Sequence, residues 1–305
     1  MLQSETPSHR FLFQHDGIDY LTLCLDVTVY WIGSIFDRVN GLLRFYERSM
    51  DLIGQDLNFY HTESIRYDRR VTDDTVNLLP FWLHKPQAKR TMPMLFMSAA
   101  STADTASDKA FSFMALEYRS AGALRLVLPA GMFGEPATWM VELTQNLVKE
   151  LDFVSGHAGY SLNWNEDGHL ATLAEQELYH LSRRYPGIDL PSISATIRTA
   201  SQGIKCANWL TLLGARWCEE LGGVDGLRMA LGTDILVHEL QNGVIIQAGG
   251  VPEIGDVNRH RLLPRYHQVG RVLAPIRSLE HAGFIRRGRM YDDEATEEWL
   301  GRFDS

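Results

Sequence analysis

The sequence predicts an α+β fold made of two halves, each in split βαβ (ferredoxin-like) order, packed as one unit with extra helices. Two observations carry this prediction. Over about 18–165, two-residue alternation and three-and-four spacing follow one another as strand, helix, two strands, helix, strand. A variation on that order recurs over about 203–290, and no Pro-rich or Gly/Ser-rich linker separates the two stretches. The whole chain, 1–305, therefore reads as a single domain. The duplication rests on pattern alone, since no residue-by-residue repeat accompanies it.

From Tyr20 to Trp31 the pattern alternates. Leu21, Leu23, Leu25, Val27, Val29 and Trp31 fall on one face, and Thr22, Asp26 and Thr28 on the other, as in a half-buried strand. Ile35, Phe36, Val39, Leu42, Leu43, Tyr46, Met50 and Ile53 then keep helical spacing, with Ser34 as a cap and Gly54 as a stop. Residues 55–109 are less regular. Thr72-Asp73-Asp74 caps a short helix through Leu83, and Ser98 to Lys109 is loop-like. Phe111 to Tyr118 and Leu124 to Leu128 read as strands joined at Ser120–Gly122. Pro136 opens a helix with Trp139, Met140, Leu143, Leu147, Val148 and Leu151 inward, and His157 to Trp164 alternates again.

In the second half, a helix bearing Leu170, Leu173, Leu178 and Leu181 ends at Tyr185-Pro186-Gly187. Lys205 to Leu212 reads as a strand, followed by helix in two pieces broken at Gly222-Gly223. Thr233 to Leu240 and Val244 to Ala248 form a hairpin closed at Asn242-Gly243. A long helix spans about His260 to Arg277, with Pro264 in its first turn and Pro275 at its end. A C-terminal helix, about 292–303, docks through Trp299 and Phe303.

With 45% hydrophobic and 22% charged residues, the chain is globular and long enough to bury a core without disulfides. Its formal net charge of -9 disfavours direct contact with nucleic acid and suits a basic partner. Cys24, Cys206 and Cys218 form no CxxC pair, so neither a zinc site nor a disulfide framework is indicated. The polar start, Met1 to Asp16, lacks the apolar core of a signal peptide, and Leu21 to Phe36 is too short for a bilayer. A cytoplasmic protein without membrane contact is expected.

A search for catalytic and cofactor signatures is negative. GxxxxGK[ST], GxGxxG and GxSxG are all absent, so no cofactor is expected. His238-Glu239 lacks the second histidine of HExxH. His260 and His267 lie among Arg259, Arg261 and Arg265, which would repel a cation. Glu166-Asp167 sits in an Asn-Glu-Asp-Gly turn, and Asp256 in a polar loop, positions that local hydrogen bonding explains. The basic clusters Arg66/Arg69/Arg70 and Arg286/Arg287/Arg289 are short and offset by acids. The tail is acidic through Asp292, Asp293, Glu294, Glu297, Glu298 and Asp304. That charge suits either a helix dipole or steering of a basic partner.

Tyr185-Pro186-Gly187-Ile188-Asp189, GIKCANWLTLLG (203–214), GVIIQAGGVPEIGDVNR (243–259) and the closing ATEEWLGRFD (295–304) together resemble the type VI immunity family. The resemblance implies a partner: a cognate type VI effector toxin, blocked inside the producing or sister cell. Members of the family are associated with nuclease toxins, including VRR-type nucleases with a PD-(D/E)xK-like core. An acidic inhibitor suits the basic groove of such an enzyme. The resemblance carries over no interface residues. Asp73, Asp74, Glu166, Asp167, Asp292 and Asp293 are the interface candidates, chosen for charge and expected exposure. Two alternatives stay open at this point. One is a small-molecule enzyme gathering His157, His238 or His260 with carboxylates. The other is a scaffold of the secretion machinery.

Overall fold

The computed structural model describes residues 11–65, 68–85, 93–116, 120–132, 138–166, 168–287 and 290–305. Pro136, expected to open a helix, Asp167, an interface candidate, and Arg66, Tyr67 and Arg289 of the basic clusters lie outside the described residues.

The first strands are β1 (Leu12–His15) and β2 (Ile18–Ile32), the latter built on the alternating Leu/Val run. After a 3-10 turn capped by the Ser34 hydroxyl come α1 (Val39–Ile53), β3 (Phe59–Thr62) and β4 (Arg69–Arg70). Two short helices, α2 (Asp73–Val76) and α3 (Leu78–His84), lead to β5 (Met94–Ser98). Then follow β6 (Ala110–Leu116), β7 (Ala121–Pro129), α4 (Thr138–Val148), β8 (Ser155–Asn163) and α5 (Ala171–Arg184). The remainder comprises α6 (Ile193–Thr199), β9 (Leu210–Gly214), α7 (Ala215–Glu220), α8 (Gly223–Leu231), β10 (Leu236–Leu240) and β11 (Gly243–Gln247). It closes with α9 (Pro264–Leu273), the small pair β12 (Arg286–Arg287) and β13 (Met290–Tyr291), and α10 (Asp293–Leu300).

One antiparallel sheet runs β10–β11–β9–β8–β2–β7–β6–β5–β3–β4, with β1 paired to the start of β2. The series β8–β2–β7–β6 is the split βαβ order expected for the first half. The second half supplies β9, β11 and β10, and the neighbour of β9 on its other side is β8. β8 thus stands where the second half would need a fourth strand, and the two halves meet across it.

Several expectations change. The strand expected from Lys205 starts at Leu210, because Lys205 and Asn208 are drawn to a buried carboxylate, Asp189. The helix expected from His260 starts at Pro264, since His260 has a left-handed backbone (φ 53°) and caps a separate 3-10 turn. The irregular 55–109 region adds β3, β4 and β5 to the sheet edge, strands too short to show a period. The second-half hairpin forms as expected. Its loop is Gln241-Asn242, and Gly243 is the first residue of β11, where a side chain would collide with the Leu213 carbonyl of β9.

Leu23, Leu25, Val27, Val29 and Trp31 share one face of β2 and are fully buried with Leu42, Phe45, Met140 and Leu147 of α1 and α4. The opposite face, expected to be solvated, is also buried: Asp26 and Thr28 are at most 1% exposed. The reason is distant in sequence. The segment 185–209, including α6, lies over β6, β7 and β8.

Candidate functional site

Polar residues collect on this covered face. Thr28 of β2 lies opposite Arg125 of β7 and His157 of β8, and Asp26 is one step along. Residues opposed across antiparallel strands share a face. Arg125 is therefore aimed at Asp26. Its Nε donates to Asp26 Oδ2 at 2.9 Å, its Nη1 to Asn163 Oδ1 at 2.8 Å, and its Nη2 to the Leu162 carbonyl at 3.0 Å.

Asp189 enters from the covering segment. β9 pairs with β8 only over Ser155–Ala158. Past that point the Asp189 main chain takes its place, donating to the Tyr160 carbonyl at 2.8 Å and accepting from the Leu162 N–H at 3.3 Å. The Asp189 carboxylate accepts from Lys205 Nζ at 3.0 and 2.7 Å and lies 3.2 Å from His157 Nε2. His157 Nε2 is also 3.9 Å from Asp26 Oδ1. Burial pushes the Asp189 carboxyl up, but His157 and Lys205 beside it outweigh burial and hold it well below the usual carboxylate range. Burial also pushes the nearby Cys24 thiol far up, which leaves it unreactive.

Asp26, His157 and Asp189 stand close enough to one another to be tested as a metal site. The donor set fits such a site poorly. Arg125 and Lys205 already bring two cationic charges to the two carboxylates, and Lys205 occupies both Asp189 oxygens. All five residues are at most 4% exposed. The cluster therefore reads as a charge-balanced tie between the first-half strands and the segment that leads into the second half.

Where α6 begins, the face opens into a pocket of about 100 Å³. Phe96, Ser112, Met114 and Arg125 supply its sheet side, while Trp164, Glu166 and Ile193 stand on the other. Carboxylates brace its rim. Asp68 Oδ1 pairs with His61 Nδ1 at 2.8 Å, Asp68 Oδ2 accepts from Asn165 Nδ2 at 3.3 Å, and Glu63 accepts from the Met94 N–H at 3.2 Å. A larger groove, about 290 Å³, lies between α5, α9 and α10 and presents Arg183, Arg261 and Arg302.

The acidic candidates occupy separate places. Glu166 is exposed at the pocket. Asp73 and Asp74 are exposed in the first turn of α2, whose cap is a box of Thr72 and Thr75. Asp292 caps α10 by accepting from the Ala295 N–H at 2.9 Å, and Asp293 is exposed beside it. The structure therefore brings together only the adjacent pairs. His238 bonds Gln247 at 2.8 Å, and His260 is exposed, so neither joins His157. Sequence reasoning missed Arg125, Asp189 and Lys205. The available signal was the charge of Asp26 in the middle of the Leu/Val run of β2 and the lone charge of Arg125 in the apolar β7.

The family described as type VI immunity for VRR-NUC (TsiV) matches residues 42–303. The chain belongs to this family. The matched span takes in the sheet from β3 to β11, the Arg125–Asp26 partner strand β7, the pocket and α10. Among solved structures, the chain is similar to the Pseudomonas aeruginosa T6SS protein PA0821. That likeness has a TM-score of 0.79 at 19% identity and covers 97% of this chain and 88% of that one, so it shows the fold. A comparison with curated proteins finds no match. TsiV members are immunity proteins, named for the toxin domain they counter rather than for a reaction. Among the described residues, no helix is long and apolar enough to cross a membrane.

Proposed function

We propose that this chain binds the VRR-NUC domain of a cognate type VI toxin in the cytoplasm and neutralises it by occlusion, covering the surface that holds DNA. The family match over 42–303 carries this reading. Charge supports the mode of action. A nuclease groove is basic because it binds phosphates. A chain of net charge -9 is attracted to that groove and repelled by its substrate. Glu166 leads the interface candidates because it stands at a pocket; exposed Asp73, Asp74 and Asp293 follow. Asp292 is engaged in capping α10. The groove that presents Arg183, Arg261 and Arg302 has the wrong sign for a basic surface.

Co-expression tests the proposal. Cells producing the cognate VRR-NUC domain should regain growth when they also produce this chain, and the two should co-purify. Continued killing at equal expression, with no co-purification, would refute the reading.

A further inference from the structure

The pocket at the start of α6 has a composition that selects among ligands. Its sheet side is apolar through Phe96 and Met114, and Ile193 faces it from α6. Polar atoms stand among these groups. Ser112 is 8% exposed, and its hydroxyl has no hydrogen-bond partner among the described residues. The indole N–H of Trp164, a residue 7% exposed, also lacks an acceptor among the described residues. Arg125 is 4% exposed. Its Nε and Nη2 hydrogens are committed to Asp26, Ser161 and Leu162, and Nη1 to Asn163, which leaves one of the five guanidinium N–H groups over. These are hydrogen-bond donors in need of an acceptor.

The charge around the pocket narrows the choice further. A lysine or arginine tip carries donors only, so it cannot accept from the Ser112 hydroxyl or the spare Arg125 N–H. Asp26 already neutralises Arg125, while the exposed Glu166 stands at the opening, so a carboxylate tip is also disfavoured. The volume, about 100 Å³, is smaller than the ~150 Å³ cavity that accepts benzene, which limits the guest to one medium side chain.

Resting on the toxin-binding reading above, we infer that this pocket receives a single neutral side chain of the toxin, apolar in its stem and carrying a carbonyl acceptor at its tip, as in glutamine. The exposed Glu166 at the rim faces a basic residue that flanks it. Interfaces concentrate their affinity in such buried anchors, ringed by contacts that exclude water.

The test measures affinity for the purified cognate VRR-NUC domain by calorimetry. Met114→Trp fills the pocket, and Ser112→Ala removes one donor at almost constant volume. Circular dichroism and thermal unfolding of each variant check that it is folded. The expected result is a loss of affinity of at least tenfold for Met114→Trp and about threefold to tenfold for Ser112→Ala. Wild-type affinity in both folded variants would overturn the pocket assignment and leave toxin binding intact. Weakening by Met114→Trp with Ser112→Ala unchanged would overturn the acceptor chemistry. Absence of binding by the wild-type chain would instead refute the proposed function itself.

Discussion

Asp26 and Arg125 face each other with almost no solvent, at 0% and 4% exposure. Removing one partner of such a pair leaves the other charge uncompensated. Asp26→Asn is therefore expected to cost about 3–5 kcal/mol in denaturant unfolding. Replacing both residues, Asp26→Leu with Arg125→Met, should recover part of that loss, because the desolvation cost of both charges disappears together while Asn163 and the Leu162 carbonyl lose a donor. A second residue fixes the pH dependence. His281 is buried, with its Nε2 beside the Thr196 hydroxyl at 3.1 Å, and burial lowers its pKa to about 4, an effect that Lys205 reinforces. The unfolded chain, with an ordinary histidine near pKa ~6.5, binds the extra proton first as pH falls. Stability should therefore decline between pH ~6.5 and ~4, by roughly 3 kcal/mol from this residue. His281→Asn should flatten that part of the curve measured by urea titration. Below pH ~4 Asp189 adds a loss of the same sign, because its folded carboxyl titrates well below its unfolded value.

At the scale of elements, α10 is held by its cap, by Trp299 within it and by Phe303 just beyond its end. Asp292 accepts from the Ala295 N–H, while Trp299 and Phe303 are at most 3% exposed. Asp292→Ala should cost about 1 kcal/mol in thermal or chemical unfolding, since one helix-end N–H loses its acceptor. Elements that carry their own period were legible: β2, α1, β8, the β10–β11 hairpin and the break between α7 and α8 at Gly222-Gly223. Elements whose reason lies elsewhere were not. β3, β4 and β5 are too short to show a period and exist because β6 offers them an edge. The polar side of β2 reads as a solvated face because the chain that covers it comes from beyond residue 185. No local pattern announces Asp189 as a guest beside β8. The site divides in the same way. Glu166 was legible as an exposed acid in a turn, whereas the pocket beside it needs β5, β6, β7, β8 and α6 at once.

Across the whole molecule, charge and topology act together. β8 joins the two halves of the sheet, and the Asp26–Arg125–Asp189–Lys205 cluster fastens the connecting segment over it, so the pocket wall is built on a rigid frame. A net charge of -9 predicts fast, salt-sensitive association with a basic toxin surface. In stopped-flow binding, the association rate should fall as salt rises through the range where the Debye length shortens toward ~8 Å. Glu166→Arg should lower the rate at low salt more than at high salt. The most direct test of the central claim is a titration of DNA cleavage by the cognate VRR-NUC domain with this chain. Occlusion predicts that cleavage ends near one equivalent and that excess duplex DNA slows the onset of inhibition by competing for the same surface. Undiminished cleavage at several equivalents would contradict the account.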